Sequence, residues 1–237
     1  RRYPGCCSIL SSKNDPAVMT RLLYLIVTVA MLSAVAAVFL LASTEKQMGD
    51  VQRIFYFHVA SALAAGVAYL LVFVNSAWYL RTRDDRWDRF AGVSAELGVL
   101  FSAFVLFSGP LWARPIWGVF WRWEPRLTTM LITFTIYVAY LMVRSYSAPG
   151  ERTQRFAAVV GIVAFVNVPL VHYSINMWAA DQQLHPPKVE LAPVMQQTKF
   201  LCYFAFACLF ALLMRLRLSQ EHLAARLQAL LRMTAHH

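Results

Sequence analysis

Between residues 112 and 128 the chain reads Trp112-Ala-Arg114-Pro-Ile-Trp117-Gly-Val-Phe120-Trp121-Arg122-Trp123-Glu124-Pro-Arg126-Leu-Thr128. Four of the seven tryptophans fall in this stretch, with three arginines and a glutamate between them. Aromatic rings stack on flat apolar ligands, and guanidinium forks grip carboxylates. The combination suits a large, planar, anionic molecule. An interfacial belt scatters an aromatic or two over each helix end, whereas Trp117, Phe120, Trp121 and Trp123 crowd into one short turn of chain. These four rings are the candidate platform. Arg53, Arg114 and Arg126 are the candidate partners for the ligand's acid groups. Glu124 would repel those groups, so its expected role is to orient an arginine or to meet a partner protein.

The histidines narrow the ligand. His222, His236 and His237 lie in the C-terminal tail, but His58 and His185 stand beside apolar segments, on the same side as the tryptophan loop. Two imidazoles from separate segments flanking an aromatic platform suit the two axial positions of a haem iron. His172 is the reserve candidate. The four cysteines form neither CxxC nor CxxCH, so the haem expected here is non-covalent and b-type, and no ordinary zinc site is signalled.

Positioning these groups falls to a membrane-embedded scaffold. The chain is 59% apolar and only 14% charged, with a mean hydropathy of +0.51; soluble domains carry about 25% charged residues. That deficit excludes an ordinary soluble enzyme domain, a disordered chain and a disulfide-stapled module. A bilayer crossing needs roughly 20 apolar residues, and six windows qualify: 22–43, 59–80, 90–111, 127–143, 156–178 and 193–214. The last contains Lys199, which can snorkel to the interface. The prediction is an all-α integral membrane protein, a six-transmembrane-helix bundle with haem-binding outer loops. Residues 1–21 form an N-terminal segment, 22–214 the membrane domain, and 215–237 an amphipathic tail expected to skim the membrane. Glu96, inside the third window, should face the bundle, because a carboxylate in lipid costs a few kcal/mol.

The net charge of +10 fits this picture better than nucleic-acid binding. With both termini cytoplasmic, fifteen of the 22 basic residues fall on the cytoplasmic side and seven outside, as the positive-inside rule requires. The three motif-bearing loops then face outward. The first residue is Arg1 rather than Met, which predicts a true start elsewhere, and the first twenty residues lack the apolar core of a signal peptide.

The segment Trp117-Gly-Val-Phe120-Trp121-Arg-Trp123-Glu124-Pro-Arg126-Leu-Thr resembles the WWD signature, WGxWWxWDxRLT, of the haem-handling proteins of cytochrome c maturation. Arg53-Ile-Phe-Tyr-Phe-His58-Val resembles the RxxYxHV stretch of one branch, the haem exporter protein C (CcmC) family. Val168-Pro-Leu-Val-His172-Tyr-Ser-Ile-Asn-Met-Trp178 resembles that family's NxPIxHYSVxWW stretch. Three departures are visible: Glu124 replaces the family's Asp, Phe120 replaces a Trp, and His185 follows Trp178 by seven residues rather than four.

The resemblance implies a haem-binding subunit of the cytoplasmic (inner) membrane. Such a subunit holds haem at the outer face and presents it to a CcmE-like haem chaperone. CcmA-, CcmB- and CcmD-like subunits and membrane lipid would be its other partners, with no nucleic acid. It would be a transfer subunit rather than an enzyme, since no GxxxxGK[ST] motif is present. Two other readings of the residues compete. One is a lipid-linked transferase using Glu124 as base and Arg114, Arg122 and Arg126 for phosphate. The other is a cytochrome b-like electron carrier, although such carriers place paired histidines at membrane depth. Within the superfamily, the larger CcsA-type synthetases have more helices.

Overall fold

The computed structural model describes residues 16–46, 48–148, 150–177 and 191–234. Among these residues seven α-helices appear: α1 (Pro16–Ala36), α2 (Arg53–Thr82), α3 (Asp85–Trp117), α4 (Pro125–Tyr146), α5 (Glu151–Phe165), α6 (Asn167–Met177) and α7 (Pro193–Thr234). Taken end to end they supply six segments long and apolar enough to cross a membrane, α5 and α6 together making the fifth. The expected six-span all-α bundle is therefore what the chain forms. Residues 42–46, 48–52 and 118–124 mark one end of the bundle, the aromatic end. Residues 83–84, 147–148 and 150 mark the other, the arginine-rich end.

Between transmembrane helices lipid offers no hydrophobic drive, so close packing of small residues has to do the work. The most extensive contact joins α2 to α3, where Ala60, Ala64, Ala65 and Ala68 face a helix carrying Gly92, Ala95, Gly98 and Ser102. A Cβ on Gly98 would fall 2.4 Å from Tyr69 Cε1. The absence of a side chain there lets Tyr69 lie flat, stack on Tyr137 of α4 at 3.9 Å, and bond Ser102 Oγ at 2.8 Å. That ring pair locks α2, α3 and α4 into one unit.

Two ion pairs join helices in the arginine-rich half. Arg144 of α4 grips Asp88 of α3 through both terminal guanidinium nitrogens, at 2.6 and 2.8 Å. Glu96 takes a two-point bond from Arg217 of α7, at 2.5 and 2.9 Å, and Arg217 also meets Glu221. Glu96 thus does face a neighbouring helix.

Two features depart from the windows read off the sequence. The fifth span is broken: Val166 N–H bonds back to Val163 O, and Pro169 lacks the N–H that a continuous helix would give to the Phe165 carbonyl. Asn167 stitches the break to α4, donating to Thr129 O at 2.9 Å and Thr133 Oγ1 at 2.7 Å. The sixth span does not stop at residue 214. α7 runs unbroken for 42 residues, about 63 Å at 1.5 Å per residue, twice the roughly 30 Å of a hydrocarbon core. The amphipathic tail continues the last span as one helix, with Leu223, Leu227 and Leu230 exposed along it.

Candidate functional site: a cavity at the aromatic end

Four helices converge below the tryptophan loop around a cavity of about 260 Å³. From α2 come Phe55, His58, Val59 and Ala62. From α3 come Val105, Gly109, Trp112 and Ala113. Each set follows the i, i+3 or i+4, i+7 spacing of one helical face, so the cavity is the seam between two stripes. Arg126, Leu127 and Met130 close it from α4, Val171 from α6, and Trp117 and Trp121 from the loop. Pro110 of α3 also lines it and removes the helical bond to the carbonyl of Leu106, another lining residue.

The loop is shaped by α3's ending. Gly118 takes the left-handed conformation, φ 74°, and its N–H closes onto Arg114 O at 3.0 Å. A side chain is poorly tolerated there, whereas glycine adopts that region readily. Arg114 folds back to bond Gly118 O and to lie over the Phe120 ring, 5.3 Å from its centroid. Pro125 then opens α4 with its missing N–H at a position that needs none.

His58 is buried, and its Nδ1 lies 2.9 Å from Ser108 Oγ. The Ser108 hydroxyl donates to Phe104 O at 2.8 Å. With its single proton so used, Ser108 accepts from His58 Nδ1–H, and Nε2 carries the imidazole lone pair. The ring is further held by Trp112, edge to face at 5.8 Å.

The aromatic rings do not form one flat sheet. Trp112 and Trp117 are tilted against each other at 6.1 Å, and Trp121 and Trp123 are edge to face at 5.6 Å. Trp112, Trp117 and Trp121 wall the cavity, while Trp123 (74% exposed) and Phe120 (57%) stand outside it. The Trp112 and Trp121 indole N–H groups are buried without an acceptor.

Of the residues singled out from sequence, the structure brings His58, Trp117, Trp121 and Arg126 together. Glu124, 4% exposed at the N-terminus of α4, lies close enough to support the Arg126 charge. Arg53 is elsewhere: it bonds Val38 O and Phe39 O in the π-helical turn that follows α1 (Ala37–Leu41), pairs with Asp50, and lines a separate groove with Phe39. His172 is exposed, edge to face with Tyr173, and does not line the cavity. His185 lies outside the described residues. Trp112 and Ser108, which the sequence reading left without a role, complete the His58 wall; the helical register of residues 105, 108, 109 and 112 was the signal for both.

The family model for haem exporter protein C matches residues 11–233. The chain belongs to the haem exporter protein C family. Haem exporter protein C of Paracoccus denitrificans is 30% identical over 198 residues, 81% of this chain and 81% of that protein. The Escherichia coli K12 haem exporter protein C is 26% identical over 182 residues, covering 75% and 73%. A cytochrome c biosynthesis ccmC-like mitochondrial protein of Marchantia polymorpha is 33% identical over 146 residues, 62% of this chain. The chain spans about 60% of the length of that plant relative. The haem exporter protein C match covers every helix that lines the cavity.

Proposed function

We propose that this chain binds haem, without a covalent link, in the His58 cavity and passes it to a haem chaperone for cytochrome c maturation. Its relatives are haem exporters, and a role in haem handling follows from membership of their family. The observation that carries the finer reading is the His58–Ser108 bond inside an aromatic, arginine-edged cavity. Metal-ligating histidines characteristically donate their second N–H to a neighbour that fixes tautomer and ring angle. Ser108 does this for Nδ1 and turns Nε2 into the ligating atom.

The residues present suit haem by their chemistry, a cavity of about 260 Å³ taking up part of the macrocycle. Its ring needs apolar walls, supplied by Phe55, Val105, Leu127 and Met130 among others. Its carboxylates need donors, and Arg126 at the cavity edge supplies them. Its iron needs nitrogen, which His58 supplies, with His185 as second ligand and His172 in reserve. Arg53 and Arg114, assigned from sequence to the propionates, are occupied by backbone carbonyls here, which leaves Arg126 as the principal cation. The exposed Trp123 and Phe120 form the rim across which haem leaves for the chaperone, and Glu124 orients Arg126 for that step. CcmA-, CcmB- and CcmD-like subunits are the proposed neighbours. A phosphate-handling enzyme would need Arg114, Arg122 and Arg126 to converge, and Arg114 is turned onto Gly118 and Phe120.

The positive-inside rule favours a cytoplasmic arginine-rich end and an outward cavity in the inner membrane. Reporter fusions at Asp85 and at Ala180 should lie on opposite sides; the same side for both sinks this orientation. The function is tested by purifying the chain from haem-replete cells. A Soret band that His58→Ala abolishes or shifts is the expected result. Colourless wild-type protein that takes up no added haem overturns the proposal.

A further inference from the structure

Toward the arginine-rich end, α7 parts from α2 and α3 and leaves a groove of about 650 Å³ between them. Its deep part is apolar, walled by Leu71 of α2, Phe90 of α3, and Phe210, Ala211 and Met214 of α7. Its outer part is polar, where Arg215, Ser219 and His222 of α7 stand with Trp87 of α3. Along α7, Ala211, Arg215, Leu218 and His222 recur at i, i+4, i+7 and i+11. One helical stripe therefore carries both the apolar wall and the polar head.

Length and charge together limit what the groove can take. Leu71 lies eleven residues before the end of α2, and Ser94 nine after the start of α3. That puts the groove's floor about 14–17 Å from the arginine-rich end at 1.5 Å per residue, half of a roughly 30 Å hydrocarbon core. A partner's transmembrane helix would run through both leaflets, whereas a lipid tail ends within one. None of the described lining residues is acidic, and Arg215 and His222 are the basic ones. Arg215 Nε donates to Thr20 Oγ1 of α1 at 2.9 Å, which holds the guanidinium at the groove's polar end. Trp87, with the Arg86 guanidinium 5.5 Å above its ring, is the kind of aromatic that sits at headgroup level.

We infer that this groove is a binding site for one anionic phospholipid of the leaflet at the arginine-rich end. Its phosphate is met by Arg215, Ser219 and His222, and an acyl chain lies in the seam that α7 makes with α2 and α3. Basic pockets between transmembrane helices take acidic headgroups in this way. The lipid then joins the Arg217–Glu96 bond in holding α7 against α3.

The test is native mass spectrometry of the purified full chain in detergent, titrated with phosphatidylglycerol or with phosphatidylcholine of the same acyl chains. Wild type should bind one phosphatidylglycerol at least about fivefold more tightly, the scale of one cation near an anionic headgroup. Arg215→Gln should remove that preference. Arg152→Gln, an equal change of charge at an exposed position on α5 outside the groove, should keep it. Ala211→Phe, at an exposed position on the apolar wall, should weaken both lipids by filling the path of the tail. It also decides the matter if Arg215→Gln, deprived of its Thr20 bond, fails to fold. Equal binding of the two lipids by wild type, the result for a groove that receives a partner helix or a second copy, overturns the inference. So does a loss of preference in Arg152→Gln as large as in Arg215→Gln, which would make the effect diffuse surface charge. Unchanged lipid binding in Ala211→Phe overturns it as well, and so does displacement of the lipid by millimolar inorganic phosphate, the mark of a free-anion site. Haem enters none of these outcomes, so the lipid site stands or falls separately from the haem reading.

Discussion

Ser108 holds His58 from the next helix: the imidazole Nδ1 is 2.9 Å from the serine oxygen, whose own proton is committed to Phe104 O. A serine on α3 thus sets the tautomer of a histidine on α2. Ser108→Ala should leave the bundle folded while weakening haem binding 10- to 100-fold, the usual cost of losing such a supporting partner. Titration of the purified variant with haem checks this. Affinity and spectrum equal to wild type would show that Ser108 plays no part in ligation.

The histidines should separate cleanly. His58→Ala is expected to lose haem or shift its Soret band, while His172→Ala, at an exposed position beside Tyr173, keeps both. His185→Ala should alter the spectrum, as loss of one strong-field ligand does. Haem loss in His172→Ala with a normal His185→Ala reverses the assignment of the second ligand.

Glu124 and Arg126 divide holding from release. Arg126→Ala should raise the haem dissociation constant by about ten- to a hundredfold, since hydrogen bonds to charged groups contribute roughly 1.5–3 kcal/mol. Glu124→Ala should retain haem but fail to load the chaperone in a reconstituted transfer assay. Haem lost on removing Glu124 but kept on removing Arg126 would invert these roles.

The Asp88–Arg144 pair, with side chains 7% and 21% exposed, is a stability element. Asp88→Ala strands the Arg144 guanidinium and should cost about 3 kcal/mol, seen as a lower unfolding midpoint in detergent. Replacing both partners, Asp88→Leu with Arg144→Met, should recover most of that loss. A double variant as unstable as the single would show that the ion pair itself, rather than the stranded charge, sets the stability.

Asn167 offers a gentler perturbation. Its two bonds to α4 bridge the break in the fifth span. Interhelical hydrogen bonds in membranes average about 0.6 kcal/mol, so Asn167→Ala should cost roughly 1 kcal/mol. Thermal unfolding in detergent measures it, and a change above about 3 kcal/mol would mean that the residue does more than stitch.

The spans, their order and the clustering of Trp117, Trp121 and Arg126 were legible because hydropathy and motif spacing act locally along the chain. What escaped depends on contacts between distant segments. Arg53 looked like a propionate partner by residue type, yet the Val38 and Phe39 carbonyls, in the turn just past α1, claim it. The fifth window read as continuous because Val166 and Pro169 are apolar enough to hide a helix break in a hydropathy average. Tilts between rings are set by packing, so a run of tryptophans could suggest a platform without revealing that Trp112 and Trp117 make walls and Trp123 a rim.

The bond between Glu96 and Arg217 joins residues 121 positions apart. Ribosomes add roughly 5–20 residues per second, so a newborn chain carries the Glu96 carboxylate for on the order of ten seconds before its arginine is made. A charge at that depth is costly in lipid. α7, made after the other six described helices, is therefore the one that completes α3. A message cut short before residue 217 yields a protein whose defect lies in its middle, exposed to the cell's membrane proteases although five spans are already in place.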